Sequence, residues 1–188
     1  MRASRTTALL ALAIASATAQ AQTYTIDPGH TFPSFEGEHM GISLWRGRFN
    51  KTSGRIVLDR AAGTGTVDIA IDATTIDFGV AKANERLKAR DAFNVEQYPQ
   101  ILYRGKAVEF RNGQPVAVDG EMTLIGVTRP LRLTINRFKC IEHPVLKREI
   151  CGADASGEFK RSDYGLTYNS NFGDLIRLAI EVEAVKSD

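Results

Sequence analysis

The sequence predicts an all-β, antiparallel protein with one short helix. Three observations carry that reading. Apolar residues recur at every second position in several segments, turn signals separate those segments, and only one stretch breaks the alternation. Together they give the strand spacing expected of a sandwich or a barrel.

At the N-terminus, Arg2 and Arg5 precede an apolar run from Ala8 to about Ala17 and the small-residue pattern Ala19-Gln20-Ala21. Residues 1–21 therefore read as a secretory leader with an A-x-A cleavage site. The mature chain is expected to start at Gln22, with an alternative cut after Ala19. The apolar run is too short to span a bilayer, and the separated arginines do not form a twin-arginine signal. Residues 22–188 suit one domain with its own core. Without Arg2 and Arg5, the remaining lysines and arginines equal the 22 acidic residues in number. A neutral balance gives no electrostatic footprint for nucleic acid or an anionic membrane. No second apolar segment is long enough to anchor the chain, so it reads as soluble, exported and globular.

The strands follow from a period of two. In "TVDIAIDA", Val67, Ile69 and Ile71 alternate with Asp68, Ala70 and Asp72. In "PLRLTIN", Leu131, Leu133 and Ile135 alternate with Arg132, Thr134 and Asn136. In "IRLAIEVEA", Ile176, Leu178, Ile180 and Val182 alternate with Arg177, Ala179, Glu181 and Glu183. One apolar and one wet face per strand indicate an antiparallel sheet. Turn signals fall at Asp59 to Gly65, Asn112-Gly113 and Gly126 to Pro130. Residues 81–99 lack alternation and are rich in helix formers, which predicts a helix from about Asn84 to Ala92 across a barrel end or side. Eight strands closed into a barrel would leave an interior either packed by side chains or able to hold one small ligand. Alternation alone does not choose between those two, nor between barrel and sandwich.

Cys140 and Cys151 are the only cysteines. In an exported chain a close, even pair is most simply a disulfide; a metal clip and a redox pair are the rival readings. The spacing is not the Cys-x-x-Cys of most redox pairs.

Several linked blocks then become recognisable. "YTIDPGHTFPSFEGEHMGISLWRGRFNKTSGRI", "DAFNVEQYPQILYRG", "GEMTLIGVTRPLRLTI", "GEFKRSDYGLTY" and "GDLIRLAIEVEAV" stand in order and cover nearly all of residues 23–186. In this the chain resembles the YceI-like family of exported polyisoprenoid-binding barrel proteins. The resemblance implies a single antiparallel, eight-stranded, lipocalin-like barrel over residues 22–188. It also implies a periplasmic location, an interior that takes a polyisoprenoid or other long-chain amphiphilic lipid, and no required metal or cofactor. The stretch "CIEHPVLKREICGADASGEF" resembles a cysteine-bearing subgroup, in keeping with a disulfide. The chain departs from the family at "ANERLKARDAF", where Ala83 replaces a Gly and Arg86 stands where a His is expected.

Candidate site residues follow from these two readings. Under the resemblance, the inward apolar set becomes a lipid cavity: Phe35, Phe49, Val67, Ile69, Ile71, Phe93, Leu131, Leu133, Ile135, Ile176, Leu178 and Ile180. Head-group candidates are His30, His39, Trp45 and Arg86. Two histidines nine positions apart lack a third ligand, so they do not make a metal site. His30 reads as a tie at a strand end, and His39 as a group at the cavity mouth. Trp45, beside Arg46 and Arg48, reads equally as a head-group contact and as an ordinary rim residue. No mature-chain serine sits in Gly-x-Ser-x-Gly, and the carboxylates lie on wet faces. The expectation is a non-enzymatic carrier, with two alternatives: an enzyme acting on an isoprenoid or quinone-like lipid, or a packed barrel used for protein interaction. Room is left for a homodimer.

Overall fold

The computed structural model describes residues 20–168 and 171–188. The leader expected over residues 1–21 lies almost wholly outside the described residues. The strands are β1 (Gln22–Ile26), β2 (Phe32–His39), β3 (Ser43–Phe49), β4 (Thr52–Asp59), β5 (Thr64–Asp72) and β6 (Ile76–Asp77). After helix α1 (Ala81–Lys88) come β7 (Gln100–Arg111), β8 (Gln114–Leu124), β9 (Val127–Glu142), β10 (Glu149–Lys160) and β11 (Phe172–Lys186). No described helix is long and apolar enough to cross a membrane.

The eleven segments make eight barrel strands, because three are interrupted. The β2–β3 pairing continues past two short breaks as the β1–β4 pairing, and β6 extends β5 along β3. Neighbours run antiparallel from β4 through β5, β7, β8, β9 and β10 to β11, and β1 bridges β4 and β11 to close the ring. Closure leaves no long unpaired edge to template aggregation.

At the break between β1 and β2 side chains replace ladder bonds. Thr31 Oγ1 donates to the Glu183 carbonyl and accepts from the Glu183 N–H, both at 3.1 Å. Asp27 Oδ1 accepts from Gly29 N–H, and Oδ2 lies 2.8 Å from His30 Nδ1. His30 is thus a fitting of the break, exposed on the outer surface.

The expected alternation holds in β5 and β11, but bulges reset it elsewhere. In β7 the register slips at Lys106, so Ile101, Tyr103 and Gly105 face inward at odd positions and Val108 at an even one. In β9 it slips at Asn136. Leu131, Leu133 and Ile135 face inward before the slip, and Phe138 after it. One extra residue reverses every later side chain.

Two expectations shift in detail and a third, the disulfide, holds. The helix begins three residues earlier than predicted and ends at Lys88, and turns occupy most of residues 89–98. Its last residues are held instead by bonds such as Phe93 N–H to Leu87 C=O at 2.9 Å. The turn read at Gly126 to Pro130 is confined to Ile125 and Gly126, and Pro130 lies inside β9, opposite Glu121. There the strand is paired on one side only, since the β10 ladder starts at Thr134, so no ladder donor is lost. Cys140 and Cys151 are bonded, S–S 2.03 Å, directly across the β9–β10 ladder. Closing so short a loop is worth about 3 kcal/mol in the chain-entropy model.

Gly54 sets the tightest backbone approach in the barrel wall. Its φ is +152°, and a Cβ there would lie 2.2 Å from the Asp68 carbonyl oxygen. Gly54→Ala should lower stability by about 3 kcal/mol or more, read as a fall in the urea midpoint. A wild-type midpoint would contradict this account of the β4–β5 contact.

Candidate functional site: an apolar cavity inside the barrel

The inward faces enclose a cavity of about 360 Å³ with an almost wholly apolar lining. It runs lengthwise. Ile101 and Val108, seven residues apart on β7, both line it, which puts its length on the order of 20 Å. One barrel end is marked by the pairs Asp72↔Gln100 and Phe172↔His39, the opposite end by Arg111↔Gln114 and Glu142↔Glu149.

All twelve apolar residues predicted to face the interior line this one cavity: Phe35, Phe49, Val67, Ile69, Ile71, Phe93, Leu131, Leu133, Ile135, Ile176, Leu178 and Ile180. The head-group candidates divide. Trp45 and Arg86 line the cavity; His30 and His39 do not. His39 stacks on Trp45, ring centroids 4.2 Å apart, and so reaches the rim through that ring. His30 faces away, near Arg137 and Lys139 on the outer wall.

Aromatic rings connect the interior to the rim. Phe93 packs edge-on to Phe49, Phe49 against Phe35, Phe35 edge-on to Phe78, and Phe78 beside Trp45, with centroids 5.3 to 6.2 Å apart. Gly47 makes room for them: a Cβ there would sit 2.8 Å from Phe78 and 2.9 Å from Phe35. Such pairs add roughly 0.5–1.5 kcal/mol each beyond area burial.

Cationic groups gather at the same end. Arg86, on α1, lies with its guanidinium carbon 3.9 Å from the Tyr168 ring centroid and forms two bonds to Asp91, at 2.7 and 2.5 Å. The fork on Asp91 holds that carboxyl below its ordinary range. Arg161 follows β10 and also lines the cavity. It donates to the carbonyls of Leu166, Tyr168, Phe172 and Gly173 at 2.6 to 3.1 Å, tying down the segment that leads into β11. Sequence reasoning missed Arg161 and Tyr168. Neither lies on an alternating strand, and no local spacing pairs them with α1.

The other polar groups of the wall are mostly occupied. Tyr103 shares its proton between the carbonyls of Val118 and Leu131, at 3.2 and 3.1 Å. Tyr24 donates to Glu149 at 2.5 Å, and Arg60 holds the same carboxylate. Among the described residues, the buried Thr52 Oγ1 and Tyr164 hydroxyl make no hydrogen bond. Among the described residues, two groups each bring three potential metal donors together. Cys140 and Cys151 of the first are spent in the disulfide. The second, Asp27, His30 and Glu183, is the strand break on the outer wall, where Asp27 already binds Gly29 N–H and His30. His143 accepts from Val145 and Leu146 N–H and shapes the β9–β10 turn.

An eight-stranded antiparallel barrel closed around an apolar cavity defines a lipocalin-like protein. The chain belongs to the family of YceI-like domains, whose pattern matches residues 24–184. It is 31% identical over 157 residues to UPF0312 protein plu2095 of Photorhabdus laumondii, covering 82% of this chain and 81% of that one. The crystal structure of the Campylobacter jejuni YceI protein superposes with a TM-score of 0.69 at 26% identity, over 80% of this chain and 90% of that one. A domain from Saccharophagus degradans, described as polyisoprenoid binding and implicated in plant cell wall breakdown, shares the fold. Its TM-score is 0.64 at 17% identity, over 88% of this chain and 99% of that one.

Three tyrosines make the barrel sensitive to alkali. Burial, then the Glu149 contact, pushes Tyr24 up to about 12; burial, then Asp163, pushes Tyr164 up to about 12; burial, then Asp119, raises Tyr103 further. Folding favours the neutral phenol, so this stability is intact below the unfolded value near 10 and is lost as pH rises towards 12. The urea midpoint should fall steeply between about pH 10 and 12. Spectrophotometric titration should show three of the five tyrosines resisting ionisation until the fold is lost. Ionisation of all five in the intact barrel would contradict these assignments.

Proposed function

We propose that this protein is a periplasmic, non-enzymatic carrier of a long-chain amphiphilic lipid, a polyisoprenoid or a close relative. The chain lies in the barrel and the polar head at the end bearing Arg86, Trp45 and His39. One observation carries the reading: the cavity is continuous and apolar along the barrel, while the two arginines that line it, Arg86 and Arg161, both lie at one end. A chain-shaped cavity with one polar end suits an amphiphile of the same polarity. The hollow interior favours this over a packed barrel, and the description of the Saccharophagus domain as polyisoprenoid binding agrees with it.

The energetics are adequate. Burying about fifteen methylenes gains roughly 12 kcal/mol, and association takes back about 4 or more, leaving a micromolar complex. The hydrocarbon supplies the affinity and the rim fixes which way the lipid lies. Arg86, held by Asp91 and Tyr168, offers a fixed positive charge to a phosphate or carbonyl head without having to be ordered on binding.

Organic extraction of purified protein followed by mass spectrometry should recover a lipid in near-stoichiometric amount. Ile69→Asp should abolish binding or unfold the barrel, because it places an unpaired charge on the cavity wall, whereas Asp68→Asn on the outer face should be nearly silent. An empty barrel that also refuses an added polyprenol, or equal effects of the two substitutions, would defeat the proposal. A bound species that turns over would favour an enzyme.

His39→Gln tests the rim. It should leave the fold intact and weaken binding by about 1 kcal/mol, or roughly fivefold, since one hydrogen-bonding group is displaced while the chain's contribution persists. Isothermal titration would measure this. Complete loss of binding in a folded variant would place His39 at the centre of recognition instead.

A further inference from the structure

The rim around Trp45 carries apolar side chains that contribute little to the barrel core. The β2–β3 hairpin turns through Met40 and Gly41, closed by the Ile42 N–H bond to the His39 carbonyl at 3.1 Å. Both turn residues adopt the left-handed backbone, φ 56° and 72°. Glycine does so freely; for methionine it costs roughly 1–2 kcal/mol. Met40 N–H also donates to the Asn171 carbonyl at 2.8 Å, bracing the tip. The result is display: Ile42 is 80% exposed, Met40 59%, Trp45 40% and Leu44 39%. Val80, at the start of α1, is also exposed.

We propose that this tip docks on a phospholipid bilayer, with Met40, Ile42, Leu44 and Trp45 entering the head-group boundary and setting the cavity mouth against the membrane. The proposal rests on the lipid-carrier reading and adds where loading occurs. Trp45 joins the two, for it is exposed at the tip and also lines the cavity. A lipid chain leaving a bilayer there would pass from acyl chains to the aromatic series without crossing open water. Tryptophan beside arginine suits a membrane interface, where an apolar body and a polar tip are both accommodated.

Charge points the same way. The chain as a whole is near neutral once Arg2 and Arg5 are set aside, but the α1 segment beside the mouth is not. Glu36 and Glu38 offset Arg46 and Arg48 on the hairpin, whereas between Val80 and Asp91 the cations Lys82, Arg86, Lys88 and Arg90 face only Glu85 and Asp91. That basic segment is drawn to anionic head groups. A second copy docked tip to tip would bring the same cations together. The other exposed large apolar side chains, Ile141, Val145 and Leu146, lie at the opposite end, around the β9–β10 turn.

The test uses protein purified as the cell processes it and vesicles of phosphatidylethanolamine with phosphatidylglycerol. Trp45 is the only tryptophan, so its emission reports the tip and the cavity mouth, and flotation separates docking from filling of the cavity. Vesicles should shift that emission to the blue, and the protein should float with them. The double substitution Met40→Asp, Ile42→Asp should lower vesicle partitioning by at least about tenfold, while uptake of farnesol from solution stays within about twofold of wild type. Met40→Ser with Ile42→Ser, which adds no charge, should lower partitioning in the same direction. Wild-type protein that neither floats nor shifts overturns the docking proposal, as do variants that float like wild type. A dimer in sedimentation that the same substitutions dissolve, without vesicle binding, assigns the tip to a second copy and overturns it too. Vesicle binding by a wild-type protein that refuses both farnesol and a polyprenol would defeat the carrier reading while leaving the docking surface intact.

Discussion

Closure of this barrel at one end depends on a short seam. Only Tyr24, Thr25 and Ile26 of β1 pair with β11, opposite Lys186, Val185 and Ala184. Beyond them β11 changes partner to β2, and the Thr31 hydroxyl bonds Glu183 across the gap. Without that seam, β1 and β11 would part at this end and the lining there would face water, while β2 would still hold β11 along the rest of its length. With it, every strand is paired along most of its length and the lining is withdrawn from solvent while still enclosing space. The far end is reinforced where the seam lies, by Tyr24 and Arg60 on Glu149, Arg148 on the Lys186 carbonyl, and the nearby disulfide.

The two ends of the barrel therefore do different work. The seam end is cross-linked by a covalent bond and by charged groups that satisfy one another. The other end is assembled from loops: α1, the segment held by Arg161, and the β2–β3 turn. Loops held by hydrogen bonds to a few anchors open more readily than paired strands. That places the yielding parts of the molecule where a lipid would enter and the rigid parts where it would stop.

Much of this was legible in the sequence where one rule governs a whole segment. The alternation of β5 and β11 identified Val67, Ile69, Ile71, Ile176, Leu178 and Ile180 as cavity-facing, because neither run is interrupted by a bulge. Leu131, Leu133 and Ile135 were legible for the same reason, since they precede the slip at Asn136. Phe138 beyond it obeys a register no period of two can anticipate. Arg161 and Tyr168 escaped because their meaning depends on what the chain brings beside them: an arginine amid turn residues has no sequence mark that its fork will gather four carbonyls. His30 was legible as a fitting of a strand break because Asp-Pro-Gly already interrupts the strand. His39 lies beside the rim through its stacking on Trp45, a contact that follows from the register of the hairpin rather than from composition.

The slip at Asn136 has a consequence for how the gene can vary. Along β9, odd-numbered codons up to Ile135 specify the lining, and even-numbered ones specify solvent-facing residues. Past the insertion the parity inverts, so Phe138 becomes a codon that tolerates little and Arg137 one that tolerates much. Deletion of Asn136 alone would remove the extra residue and leave a regular strand, with Arg137 still outward and Phe138 still inward, whereas inserting one residue into the regular stretch before it would turn Leu131 or Leu133 to solvent. The bulge is thus the one place in this strand where a residue can be lost without exchanging the lining for the outer face.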